Sequence, residues 1–127
     1  MKLAVVSLKA KDVGRAAHFY RNVIGLEMAG HHDHIPDFDL NGTYLTIIQS
    51  EPAEKLGGSS TQFPALALEV EDLDKAIDRL HLHHVELPWG IEQGDTSRWV
   101  KFYDPAGNLI ELVQFDSLSR NPRKITE

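Results

Sequence analysis

The chain contains no cysteine. That absence removes disulfides, thiol nucleophiles and thiolate metal sites from consideration. No apolar run is long enough to cross a bilayer, and no membrane partner is expected. Met1 leads straight into a strand pattern with no secretory leader, so a cytoplasmic location is expected. Positive charge is scarce: 13 Lys and Arg stand against 19 Asp and Glu, a formal net charge of −6. No basic stripe offsets that balance, which argues against binding a phosphate backbone, and no nucleic-acid partner is expected. The balance mildly favours cationic or neutral ligands. The remaining composition is that of a globular protein, and 127 residues suit one domain with a real core.

The most informative stretch is residues 97–115, which reads as a β-hairpin. Its arms, 98–103 and 109–115, are rich in β-branched and aromatic residues. Between them, Asp104-Pro105-Ala106-Gly107-Asn108 supplies the fixed and then the permissive φ of a tight turn. One carboxylate, Glu111, sits among aliphatic neighbours in the second arm. An acid in such a run needs a cavity, a metal or a hydrogen-bond partner.

Earlier in the chain, residues 2–10 alternate as a strand, with Ala4, Val6, Leu8 and Ala10 on one face and Val5 and Ser7 on the other. Asp12 reads as an N-cap. Val13, Ala16, Ala17, Tyr20, Val23 and Ile24 follow at helical spacing, and Gly25 ends the helix. Residues 26–34 are extended, Pro36 breaks them, and 37–40 form a return strand. Asn41-Gly42 signals a turn into the strand 43–49, with Leu45 and Ile47 opposite Tyr44, Thr46 and Ile48. Residues 51–62 have linker composition. The pattern then restarts. Residues 63–70 form a strand with Leu66, Leu68 and Val70 opposite Ala65, Ala67 and Glu69. Asp72 caps a helix carrying Leu73, Ala76, Ile77 and Leu80. Residues 85–89 read as a short extended piece and 90–96 as a loop before the hairpin. Residues 116–127 form a polar tail.

The two halves match in their letters as well as their order. Leu8, Asp12, Val13, Arg15 and Ala16 correspond to Leu68, Asp72, Leu73, Lys75 and Ala76 at a constant offset, and residues 42–49 correspond to 107–114. Each half is therefore β-α-β-β-β: module one about residues 2–50, module two 63–115. The fold class is α+β. Two such modules, the run Ala17-His18-Phe19-Tyr20-Arg21-Asn22-Val23-Ile24-Gly25-Leu26 and the ending Asp104-Pro105-Ala106-Gly107-Asn108-Leu109-Ile110-Glu111-Leu112 resemble the vicinal oxygen chelate superfamily. That group holds glyoxalase I, extradiol dioxygenases, fosfomycin resistance enzymes and bleomycin resistance proteins. The resemblance covers roughly residues 2–115 and implies cupped sheets with helices outside, a cavity, and a homodimer. It also marks four metal-ligand positions, here Val5, Thr46, Ala65 and Glu111. Only Glu111 grips a divalent ion well, and a catalytic site needs about three protein ligands.

On this reading Val5, Ser7, Thr46, Ala65, Ala67, Trp99, Lys101 and Glu111 face the cavity. Glu111 either anchors a ligand or pairs with Lys101. Lys101 either steers an anionic group or, as the plainer reading, lies along the surface of the sheet. Trp99, Trp89 and Tyr44 either stack on a planar or cationic ligand or simply pack. His31-His32-Asp33-His34 offers imidazoles but misses the superfamily's ligand positions. His81, His83 and His84 suit the negative end of a helix. His18 is expected on the helix surface. The leading expectation is a small-molecule-binding protein of the glyoxalase/bleomycin-resistance type, with no metal cofactor. Its organic ligand, cationic or amine-bearing, would contact Glu111, Lys101, Trp99, Thr46, Ser7, Tyr44 and Trp89. The alternative is a metal-dependent lyase, isomerase or dioxygenase of the same superfamily. A scaffold with a filled cup is a third reading.

Overall fold

The computed structural model of the chain describes residues 1–30, 35–51 and 63–116. Module one holds β1 (Val5–Ala10), α1 (Val13–His18, continued as a π-helical segment Phe19–Ile24), β2 (Glu27–Met28), β3 (Asp37–Leu40) and β4 (Thr43–Gln49). Module two holds β5 (Leu66–Glu69), α2 (Leu73–Leu82), β6 (Glu92–Gln93), β7 (Ser97–Tyr103) and β8 (Leu109–Phe115). The sheets repeat one topology, β1-β4-β3-β2 and β5-β8-β7-β6, with the first pair parallel and the others antiparallel.

The local signals act as the sequence suggests. The Asp12 carboxylate accepts the Arg15 N–H at 3.0 Å, and the Asp72 carboxylate accepts the Lys75 N–H at 3.1 Å. Each removes one orphan donor from a helix start. Gly25 ends the first helical run at φ 91°, where a side chain would be strained. Asn41 and Gly42 both take positive φ, 55° and 96°, which suits the twist of the β3–β4 hairpin.

Alternation sorts each strand into a core face and a free face. In module one Leu8, Ala10, Phe38, Leu45 and Ile47 are buried on the core face, and in module two Val100, Phe102, Ile110 and Leu112 are. The two cores are one. Phe19 on the first helical run meets the Phe102 ring at 6.1 Å, and Tyr20 meets Phe38 at 6.2 Å. Tyr20 also donates its hydroxyl to Asp104 Oδ2 at 2.6 Å. Asp104 is 3% exposed. It accepts three more hydrogen bonds, from the Ala106 and Asn108 amides and from Asn108 Nδ2. Asn108 Nδ2 also donates to the Lys9 carbonyl on β1. A turn of module two is thus bolted to the helix and edge strand of module one. Burial first, and the Asp104 charge second, push Tyr20 far up, so its hydroxyl stays a donor.

Three expectations are corrected. Residues 85–89 form no strand: His84 takes φ 59° and the Gly90 amide bonds back to Leu87, so this stretch turns. The extended pairing lies further on, at Glu92–Gln93 inside the expected loop, held by β7. Ala4, expected on one strand face with Val6, Leu8 and Ala10, is exposed and outside the strand, because β1 begins at Val5. The His31–His34 cluster, the linker from 52 to 62 and the tail from 117 lie outside the described residues.

Candidate functional site

Side chains of laterally paired residues share a face of a sheet, so each register row can be followed across both modules. In module one the row is Ser7, Thr46 and Asp37. In module two the corresponding row is Ala67, Glu111 and Lys101. Both rows lie on the free faces, opposite the helices.

The module-one row is self-satisfied. The Ser7 and Thr46 hydroxyls bond each other at 2.8 Å. Asp37 is 3% exposed and accepts the Gly30 N–H at 3.0 Å. Tyr44 also belongs to this sheet, paired with Val5 and Asp39. Asp37 was missed in the sequence because a four-residue strand next to a proline gives little alternation to read.

The module-two row is where charge gathers. Lys101 is 5% exposed, against the expectation of a surface lysine. Its ammonium lies 3.4 Å from Glu92 Oε1 and 5.2 Å from the centroid of the Trp89 ring. The turn that replaced the expected strand at 85–89 is what brings Trp89 over it, packed in turn against Tyr103 at 6.3 Å. Trp99 stands opposite Glu92 in the register, with its ring against Gly94. Thus Glu111, Lys101, Trp99 and Trp89 come together in module two, joined by Glu92. Ser7, Thr46 and Tyr44 stand on the other sheet. Glu92 was missed because a two-residue strand has no period. Its only sequence signal is Gly94 closing a turn onto Ser97, seen here as the Gly94 amide bonding the Ser97 carbonyl.

Glu111 is half-buried, and its acidity follows from its surroundings. Burial pushes its carboxyl up from the ordinary value, Lys101 pulls it down, and Glu92 pushes it up again. The net shift is upward. The folded state therefore holds this proton more tightly than the unfolded chain does. Stability contributed here is present at low pH and lost as pH rises through the raised carboxyl value. Glu111→Gln removes that loss. The variant should be slightly more stable than the parent above the carboxylate range, by a fraction of a kcal/mol given solvent screening. The two should converge as pH falls, which urea unfolding at several pH values measures.

The four positions marked for a metal do not fit one. Val5 is 51% exposed on an edge strand and has no donor atom, and Ala65 has none either. Thr46 is bonded to Ser7. Glu111 alone offers a carboxylate, and among the described residues no three His, Asp or Glu side chains gather to hold an ion. Among the described residues, no helix is long and apolar enough to cross a membrane.

The sequence pattern of the Glyoxalase/Bleomycin resistance protein/Dioxygenase superfamily matches residues 2–112. The chain belongs to this superfamily. Solved structures share the fold at low identity. A lactoylglutathione lyase from Agrobacterium tumefaciens superposes with a TM-score of 0.68 at 23% identity, over 89% of this chain and 92% of that one. A fosfomycin resistance protein from Listeria monocytogenes gives 0.73 at 19%, over 94% and 98%. A glyoxalase/bleomycin resistance protein/dioxygenase from Alicyclobacillus acidocaldarius gives 0.72 at 15%, over 95% and 96%. Superfamily membership fixes the architecture and leaves the chemistry to the site.

Proposed function

We propose that this superfamily member is a metal-independent small-molecule-binding protein that holds an organic, amine-bearing ligand on the free face of module two. The observation that carries the reading is the charge of the cluster. Lys101 is shared between Glu92, the Trp89 ring and Glu111 beside it. One cation beside two carboxylates leaves a net charge of −1 when both are ionised, and Glu111 is the carboxylate left to take a ligand's ammonium. Trp99 and Trp89 offer ring surface beside it. Binding energy would come from apolar burial, with a charge-assisted hydrogen bond fixing orientation. A homodimer, in which a second copy would help enclose this open face, belongs to the same proposal. Sequestration needs no reaction step.

Calorimetry with tryptamine and indole-3-acetate, both in EDTA, tests it. The two probes share a ring and differ in the sign of their charge. Tryptamine should bind, indole-3-acetate should bind far more weakly, and Glu111→Gln should weaken tryptamine by at least about tenfold. A preference for indole-3-acetate, or binding that requires an added divalent ion, would refute the reading.

A further inference from the structure

A cavity of about 630 Å³ lies at the seam between the modules, within the size range of ordinary ligand sites. Module one contributes Val6, Ile24 and Leu26 to its wall, and module two contributes Leu68, Val70 and Leu80. These belong to the helix-side packing that builds the shared core, not to the row that carries Glu111 and Lys101. All four residues of β5, an edge strand of its sheet, line the cavity. Most of the lining aliphatics, Leu80 and Leu112 excepted, are only partly buried although they pack on the core. The seam therefore leaves apolar surface in contact with water that a ligand chain would cover.

One side chain gives the cavity a polarity. Arg79 lines it, and its Nη2 donates to the Asn22 carbonyl at 2.9 Å. Its guanidinium lies so close to Gly25 that a Cβ there would stand 2.9 Å from Nη1. The side chain is exposed, and this bond rests its guanidinium on the end of the first helical run. Among the described residues it meets no carboxylate, so most of its donors remain for an anion. Glu69 also lines the cavity and has an interaction of its own. Thr43, also on the wall, gives its hydroxyl to the Leu3 carbonyl. An apolar slot with one oriented guanidinium matches a particular ligand shape.

We propose that the seam binds an amphipathic monoanion, an aliphatic chain with a carboxylate head, with the chain in the cavity and the head on Arg79. Arg suits this role because its planar fork takes a carboxylate on two parallel N–H groups. The anchor here is Arg79 and not Glu111, although Ala67, which shares a register row with Glu111, also lines this cavity.

The test is a 15N NMR titration with octanoate, 1-octanol and octylammonium. Octanoate should perturb the amides of residues 66–70 and 76–80 first, octanol should bind more weakly, and octylammonium more weakly still. Arg79→Gln should weaken octanoate by at least about tenfold, while Arg79→Lys should retain part of the affinity. Ala76→Phe, which fills the cavity and leaves Arg79 in place, should also abolish binding and guards against a fold defect in the arginine variant. Glu111→Gln should leave octanoate untouched, which separates this site from the tryptamine site. The proposal is overturned if octylammonium binds as tightly as octanoate, if Arg79→Gln binds normally, or if the shifts centre on Glu111 and Lys101. It is also overturned if octanoate fails to bind while the β5 amides of free protein become protected with rising concentration, which would place a second copy there.

Discussion

Asp104→Ala should cost the protein about 4 kcal/mol, the largest loss expected from any single polar substitution in this chain. The carboxylate is buried and accepts four hydrogen bonds. Truncating it leaves the Tyr20 hydroxyl and two backbone amides without their acceptor and takes one of the two acceptors of Asn108 Nδ2, which keeps the Lys9 carbonyl. The cost is therefore several desolvated donors and not one lost bond. Tyr20→Phe tests the same node from the other side. It should lose about 2 kcal/mol, since a hydrogen bond to a charged acceptor is worth about 1.5–3 kcal/mol. Because Tyr20 belongs to module one and Asp104 to module two, the pair also couples the modules. The double variant should lose less than the sum of the single losses. Urea unfolding measures all three, and a loss below about 1 kcal/mol for Asp104→Ala would mean the modules are held together by other contacts.

Lys101→Met should produce the second large effect and a distinctive pH profile. The methionine keeps the stem and its packing but removes the ammonium that stands between Glu92 and Glu111. Two carboxylates are then left together in a partly buried place. About 2–3 kcal/mol should be lost at pH 8, at the lower end of what an orphaned buried charge costs because both acids retain some solvent. The sign with pH follows from Glu111. Its carboxyl already sits above the ordinary value, and Lys101 is what holds it down. Without that cation it rises further. The folded variant then takes up a proton that the unfolded chain does not, so the deficit should shrink as pH falls through the carboxylate range. A deficit that is the same at pH 8 and pH 5 would show that Lys101 contributes only packing.

What was legible in the sequence divides by the range over which each feature is determined. Capping by Asp12 and Asp72, the Asn41-Gly42 turn, the alternation of residues 43–49 and the hairpin arms at 98–103 and 109–115 depend on near neighbours, and they read correctly. So did the paired architecture, because repetition of element order survives divergence of side chains. The burial of Lys101 did not, since it depends on Trp89 twelve positions earlier, on a turn that looked extended. Asp104 read as a turn residue. Its Asx-type bonds to Ala106 and Asn108 are local and fit that reading, whereas its partner Tyr20 lies 84 positions away. Glu92 joined the candidate site through a two-residue strand, too short for a period to be visible. Periodicity places a residue on a face; which other face closes over it is decided by packing between segments.

Glu111 stands alone among the four marked corners as a side chain able to hold an ion, and the metal content of untagged protein tests this most directly. Protein incubated with zinc, manganese or nickel and then desalted should carry far less than one ion per chain by elemental analysis. Glu111→Gln should give the same result. About one ion per chain, lost in Glu111→Gln, would contradict it and place a metal centre on the face where an amine-bearing ligand is proposed to bind.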